Sequence, residues 1–130
     1  MEEIKGKVIK LLNNALDCDA IVIFGSFARG TQNEESDVDI GVKLNKEVTK
    51  NELYNISNEL AEKLKRDIDL VNLDTIENDG FKYEILINGE VIYCKDSYKF
   101  DLYKLDAYRE YLDLNEARKA IIDEMKSKEW

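Results

Sequence analysis

Residues 25–39 read GSFARGTQNEESDVD, and this stretch decides the fold. The residues before it, 20–24, form a short run rich in β-branched side chains that Gly25 stops, which predicts a buried strand. Residues 38–42 overlap the end of this stretch and alternate apolar with acidic or small side chains, which predicts a second strand with two different faces. The pattern therefore predicts a strand, a Gly-Ser turn, a short helix and then an acidic strand.

The turn in this stretch has the features of a phosphate-binding site. Gly25 lets the backbone approach a ligand closely, and the start of the following helix points free N–H groups at an anion. Ser26 adds a hydroxyl and Arg29 adds a cation within the same turn. A Gly-Ser pair alone is usually only a turn, but this set of groups fits a nucleoside triphosphate.

The strand that follows carries two acids, Asp37 and Asp39. Because one residue separates them, both side chains leave the same face, with their Cα atoms about 6–7 Å apart. Two carboxylates at this separation can share hard metal ions roughly 3.5–4 Å apart, the arrangement used for in-line phosphoryl or nucleotidyl transfer. Without a cation the two charges would repel each other, so we infer two Mg²⁺ ions, with Mn²⁺ as the alternative metal.

A third carboxylate comes from the sequence Ile68-Asp69-Leu70-Val71, which predicts a further strand. Asp69 can help to hold one metal and can take the proton from an attacking hydroxyl. Asp67 shares its face by the period of two and competes for this role. We favour Asp69, because apolar strand residues flank it on both sides.

Helices and strands alternate along the rest of the chain. Apolar spacing and capping patterns predict helices over residues 2–16, 49–64 and 79–88, an edge strand over 90–94 and a helical segment from 97 to about 128. A second capping pattern at 113–116 would split that last segment in two. The fold class is therefore α/β (α+β), a small mixed β-sheet with flanking helices. We expect one domain, with its body at residues 1–95 and a C-terminal helical extension at 96–130 packed on it.

Composition excludes several classes of function. The chain has 130 residues, with 19 Lys+Arg, 28 Asp+Glu and a net charge of −9, so a broad nucleic-acid-binding surface is not expected. It has no His, which excludes a Ser-His-Asp triad, a His general base and a His-containing zinc site. Cys18 and Cys94 form no CxxC pattern. The N-terminus lacks the pattern of a secretory signal, and no apolar segment approaches the ~18 residues that span a bilayer. We therefore expect a cytoplasmic protein with reduced thiols that does not bind a membrane.

The motif resembles the signature of the DNA polymerase β-like nucleotidyltransferase superfamily, in which Asp-x-Asp follows Gly-Ser at a short distance. The residues that match it are Gly25, Ser26, Asp37 and Asp39. The extended form GSFARG at 25–30, the Ser36 that precedes the acids and the short chain resemble the minimal nucleotidyltransferases. Among these, the closest resemblance is to the adenylyltransferase antitoxins of HEPN/MNT toxin–antitoxin systems. The resemblance covers residues 4–95.

This resemblance implies a polymerase β palm-like fold and the transfer of AMP from ATP to a hydroxyl, with release of pyrophosphate. The residues that it implies for nucleotide binding are Gly25, Ser26, Arg29 and Ser36, and those for catalysis and metal binding are Asp37, Asp39 and Asp69. In the antitoxins the acceptor is a tyrosine of a HEPN ribonuclease toxin. Because the HEPN signature contains a His and this chain has none, the toxin would be a separate chain.

Two other functions stay open at this point. One is transfer of a nucleotide to a small hydroxylated molecule of the antibiotic type, and the other is a binding module that neutralises its partner by occlusion. The C-terminal segment also carries an apolar and aromatic stripe, which either packs on the sheet or docks a partner or a second copy in an oligomer. The stripe consists of Tyr98, Leu102, Leu105, Tyr108, Leu112, Ile121, Ile122 and Met125.

Overall fold

The fold is a mixed sheet with helices on both faces, which we describe from a computed structural model covering residues 2–25 and 37–127. The strands within these ranges are β1 (Cys18–Phe24), β2 (Val38–Leu44), β3 (Ile68–Asn72) and β4 (Glu90–Cys94). The helices are α1 (Glu2–Ala15), α2 (Lys50–Leu64), α3 (Asp79–Asn88) and α4 (Ser97–Ser127), with a 3₁₀ turn at Leu73–Thr75. The sheet has the order β3-β2-β1-β4; β1 is antiparallel to β2 and β4, and β2 is parallel to β3. The predicted mixed sheet, with β4 at its edge, is confirmed.

The two faces of the sheet carry separate cores, because alternate strand residues point to opposite sides. On β2, Val38, Ile40 and Val42 are buried in one core, and the residues between them face the other side. The first core also contains buried side chains from α1 and α2, among them Val8, Leu12 and Leu60. The second core contains Ala20, Val22, Leu73, Ile85, Leu86, Phe100 and Ala107, so α3 and α4 cover the face from which Asp39 projects.

Gly41 on β2 is needed for close packing in the second core. A Cβ at this position would lie 2.9 Å from Cδ2 of Leu73 and 3.5 Å from Cγ2 of Ile85. The missing side chain therefore lets the 3₁₀ turn and α3 pack directly on the sheet, next to the strand that carries the acids.

The start of α2 has the cap that the sequence predicts. Oγ1 of Thr49 accepts a hydrogen bond from the backbone N–H of Glu52 at 3.1 Å, and Thr49 itself is extended, with φ −71° and ψ 158°. This bond satisfies one of the N–H groups that a helix start leaves without an intrahelical partner. The helix ends at Lys65, which takes the left-handed conformation with φ 55°.

The break that a second capping pattern could make at residues 113–116 is not observed, because α4 is one continuous helix of 31 residues. The segment contains neither Gly nor Pro, and good helix formers such as Glu116, Ala117 and Arg118 follow the capping pattern, so the helical ladder continues through it. The residues that pack on the sheet are Phe100, Tyr103 and Ala107. All eight side chains of the apolar stripe are exposed, from 37% for Leu112 to 71% for Tyr98. The stripe therefore lies outside the buried core on the sheet, and within it Tyr108 contacts Tyr83 of α3, with ring centroids 5.7 Å apart.

Within the part of the chain that the structure describes, no helix combines the length and the apolar character that are needed to cross a bilayer.

Candidate active site

Two of the predicted catalytic acids lie side by side on neighbouring strands. Asp39 on β2 pairs with Asp69 on β3 in the parallel ladder, so their side chains leave the same face of the sheet. Asp37 lies immediately before β2, and its negative charge acts on Asp39. The sheet register thus places Asp69 beside Asp39, although the two acids are distant in the sequence.

The charges of these acids interact. The pKa of Asp39 is raised above its usual value of 3.8, first by burial of the carboxyl and then by the negative charges of Asp69 and Asp37. Asp39 is half-buried, whereas the other two are exposed. Both causes disfavour the charged form, and a bound cation would remove the repulsion.

The backbone of Gly25 contacts Asp39 on the side away from β3. Phe24 pairs with Asp39 across β1 and β2, so the backbone of Gly25 follows directly beside the carboxylate. Gly25 has φ +74°, and a Cβ built on it would overlap Oδ2 of Asp39 and lie 3.3 Å from its Cγ. The turn needs glycine both for its left-handed backbone and for the close approach of this acid.

The donor set fits a divalent metal of the Mg²⁺ type. Within residues 2–25 and 37–127, no three acidic or Cys side chains are grouped closely enough to hold an ion by themselves. Mg²⁺ is usually bound by one or two carboxylates together with water and substrate phosphates, and seldom by an all-protein cage. An open pair of carboxylates is therefore the arrangement expected where a nucleotide completes the coordination.

The structure distinguishes Asp69 from its competitor. Asp67 precedes β3, and its described contact is made by its backbone carbonyl, which accepts from the N–H of Val38 at 2.9 Å. The named charges that raise the pKa of Asp39 are those of Asp69 and Asp37. The register and the electrostatics therefore place Asp69, and not Asp67, next to Asp39, and its role as the third acid stays a prediction. Three further predicted residues, Ser26, Arg29 and Ser36, lie outside the described residues.

Sequence reasoning missed a cleft beside Asp39. It has a volume of about 520 Å³, within the range of about 300–1,000 Å³ typical of small-molecule sites. It is lined by Phe24, Gly25, Asp39, Phe81, Glu84, Ile85, Asn88 and Gly89. The sequence shows only that four of these residues recur at helical spacing on α3 and therefore share one face of the helix. It does not show which part of the protein that face contacts.

A second cavity, of about 390 Å³, lies near the ends of β1 and β2 that are remote from the acids. Two of its side chains are engaged with Asp74 of the 3₁₀ turn: the hydroxyl of Tyr103 donates to this carboxylate at 2.8 Å, and Nζ of Lys43 donates to it at 3.0 Å. Burial and this hydrogen bond raise the pKa of Tyr103. These contacts link β2 and α4 through Asp74.

Comparison with known proteins identifies related sequences and folds. A family model described as "Polymerase beta, Nucleotidyltransferase" matches residues 6–98. The protein adenylyltransferase MntA of Shewanella oneidensis is 29% identical over 122 residues, which cover 93% of this chain and 86% of the relative. A crystal structure of a toxin–antitoxin complex with AMP-PNP superposes with a TM-score of 0.82 at 28% identity, covering 94% of this chain and 98% of that one. The antitoxin fold in a complex with a tri-AMPylated HEPN toxin of Shewanella oneidensis superposes with a TM-score of 0.79 at 24% identity, covering 96% and 98% of the two chains.

Proposed function

The chain belongs to the polymerase beta nucleotidyltransferase family, and from this premise we propose that it is a metal-dependent protein adenylyltransferase. It transfers AMP from ATP to a tyrosine hydroxyl of a HEPN-type toxin, which is a separate chain, and so acts as its antitoxin. The observation that carries the proposal is the position of Asp39, held between the backbone of Gly25 and the carboxylate of Asp69. The similarity to a protein adenylyltransferase and to an antitoxin crystallised with AMP-PNP supports the choice of donor and acceptor.

In this mechanism the three acids bind the metals, and Asp69 also acts as the base. Asp37 and Asp39 hold two Mg²⁺ ions, or Mn²⁺, and Asp69 is a further ligand. When bound, the ions neutralise the carboxylates and stabilise the charge that develops on the transferred phosphoryl group. The acceptor hydroxyl attacks the α-phosphorus of ATP, the bond to pyrophosphate breaks, and Asp69 accepts the hydroxyl proton.

The remaining predicted residues bind the donor. Gly25 and Ser26 contact the triphosphate through the backbone and the hydroxyl, Arg29 adds a positive charge and Ser36 adds a second hydroxyl. We place the reaction in the cytoplasm because Cys18 and Cys94 are both free thiols, as is usual for cytosolic proteins.

The double variant Asp37→Asn/Asp39→Asn tests this function. We expect the wild type, incubated with the co-expressed partner, ATP and Mg²⁺, to raise the mass of the partner by one or more AMP units, and the double variant to leave that mass unchanged. Its matched control is Asp113→Asn/Asp123→Asn, which removes the same charge from two exposed positions on α4 and should keep the activity.

The same experiment separates the alternatives. If the double variant silences the partner as fully as the wild type at equal expression, neutralisation occurs by occlusion and not by catalysis. If every co-purified protein keeps its mass while ATP is consumed in the presence of a small hydroxylated acceptor, the enzyme modifies small molecules.

A further inference from the structure

A tyrosine of this chain shares a cleft with the acid that takes the acceptor proton in the proposed mechanism. We call it the edge cleft, because β3 stands at one end of the strand order β3-β2-β1-β4. It has a volume of about 390 Å³ and is lined by Asp69 and its strand neighbours and by residues of α2, among them Lys50, Tyr54 and Ser57. A hydroxyl of the acceptor type thus lies beside the base on the same chain.

A hydrogen bond holds this part of α2 against β3. Oγ of Ser57 donates to the carbonyl oxygen of Ile68 at 3.0 Å, and Ile68 directly precedes Asp69. Tyr54 precedes Ser57 by three residues, so the two are neighbours on one side of the helix, with Cβ atoms about 5–6 Å apart. The anchored helix therefore keeps Tyr54 about one helical turn from the contact that lies next to the base.

The side chain of Tyr54 is available for reaction. It is 66% exposed, and among the described contacts it has no hydrogen bond, ion pair or ring contact. Other tyrosines are engaged: the ring of Tyr83 contacts those of Tyr108 and Tyr111, and the hydroxyl of Tyr103 donates a hydrogen bond. These contacts fix their rings in the packing of α3 and α4.

Two more tyrosines lie away from the acids. Tyr93 is on β4, at the opposite end of the strand order from β3. Tyr98 is 71% exposed, but it follows the end of β4, where Cys94 pairs with Ala20 near the start of β1. The acids lie at the other end of β1, where it pairs with Asp39. Tyr54 is therefore the tyrosine that combines exposure with a position beside an acid.

The edge cleft also contains a positive charge. Lys50 precedes Tyr54 by four residues, which places both on one side of α2, and it lines the edge cleft together with Asp69. A cation at this position favours the approach of the strongly negative triphosphate. The cleft therefore does not repel the phosphate group that the tyrosine hydroxyl must reach.

We propose that Tyr54 is itself an acceptor, to which the chain transfers AMP within one molecule. The proposal rests on the proposed function and adds an acceptor that the enzyme carries. The phenolic oxygen of Tyr54 forms a bond to the α-phosphorus of ATP, and the bond from that phosphorus to the pyrophosphate oxygen breaks, so that pyrophosphate leaves. Asp69 accepts the phenolic proton, as it does from an external hydroxyl. The product is a phosphodiester that joins Tyr54 to adenosine.

The test incubates the full chain, purified without a partner, with ATP and Mg²⁺ and follows its intact mass. The wild type should gain one AMP unit, which peptide mass spectrometry should locate at Tyr54; the same mark already present after expression is the same result. Tyr54→Phe, which lacks the hydroxyl, should gain none. Tyr98→Phe is the matched control, because it removes a hydroxyl from a position that is even more exposed, and it should gain AMP at the wild-type rate.

Dilution and the partner distinguish this reaction from transfer to another molecule. Because the hydroxyl and the acids belong to one chain, the rate per molecule should stay constant over a roughly hundredfold dilution of the protein. Tyr54→Phe should still transfer AMP to the co-expressed partner at no less than the wild-type rate, because that acceptor is a separate chain.

An unmodified wild type, in a preparation that does transfer AMP to the partner, would overturn the proposal and leave the proposed function intact. A mark that persists in Tyr54→Phe, or a rate that falls with dilution, would also overturn it, since AMP would then go to another residue or to another molecule. If the wild type carries no mark and Tyr54→Phe slows transfer to the partner, the ring serves the external acceptor instead. Failure of the proposed function is distinguishable, because neither the chain nor the partner would then gain mass.

Discussion

Replacing Gly25 by Ala should disable the site at a cost in stability that can be estimated from the geometry. A non-glycine residue at φ +74° loses roughly 1–2 kcal/mol relative to the right-handed region. For a domain of 130 residues, this corresponds to a fall in Tm of roughly 3–8 °C. Gly6→Ala is the matched control: Gly6 lies in α1 with no heavy atom within 4 Å of an added Cβ, so the same substitution should stabilise the protein by roughly 0.5–1 kcal/mol.

The effect on activity should be much larger than the effect on stability. The new methyl group would occupy the place of Oδ2 of Asp39, so the carboxylate must move away from its position between Gly25 and Asp69. A displacement of about 1 Å in a catalytic group can cost on the order of a hundredfold in rate. We therefore expect Gly25→Ala to transfer AMP at least roughly a hundredfold more slowly than the wild type at a temperature where both are folded.

The assay is the initial rate of AMP transfer to the partner, followed by intact mass, with the folded fraction of each variant measured by circular dichroism. Gly6→Ala should keep the wild-type rate. A Gly25→Ala protein that is less stable but has the wild-type rate per folded molecule would refute the reasoning, because Asp39 would then not depend on the close approach of this backbone.

Three further outcomes follow from described contacts. Burial and the charges of Asp69 and Asp37 raise the pKa of Asp39, so the folded protein keeps a proton above pH 3.8 that the unfolded chain has lost. The stability of the metal-free protein should therefore fall as the pH rises from 3.8 through the raised pKa. In thermal unfolding, Asp39→Asn should show a smaller loss of stability over the same pH range. Tyr103→Phe removes the 2.8 Å hydrogen bond to Asp74 and should lower the free energy of unfolding in urea by about 1 kcal/mol. Tyr98→Phe, at a position 71% exposed, should leave it unchanged, and equal losses in the two variants would contradict this. Thr49→Ala should cost about 1 kcal/mol through loss of the α2 cap, and unchanged stability would show that the 3.1 Å bond does not contribute.

The secondary structure was largely predictable because its signals are local. The capping pattern at Thr49 and the Asn88-Gly89 end of α3 are read from a few neighbouring residues, and both are observed. The failure at residues 113–116 has the same origin. A capping pattern is permitted inside a helix as well as at its start, and no Gly or Pro forces the chain to leave the helical conformation there.

The cleft beside Asp39 was not predictable, because its walls come from segments that meet only in the folded chain. Phe24 and Phe81 lie on a strand and on a distant helix, and neither shows in the sequence that it will meet the other. Glu84 and Asn88 read as ordinary polar residues on the surface of a helix. Their place in the cleft depends on which strand edge α3 covers.

The sequence by itself determined which residues could act together on one strand. The alternation of the sequence around β2 predicts that Asp37 and Asp39 share one face whatever surrounds them, since successive strand side chains point to opposite sides. Tertiary structure decided what stands next to them: β3 pairs in the register that sets Asp69 opposite Asp39, and β1 places Gly25 against the same carboxylate. The physical reason is that a face is set by local geometry, whereas strand order and register are set by the burial of apolar side chains from the whole chain.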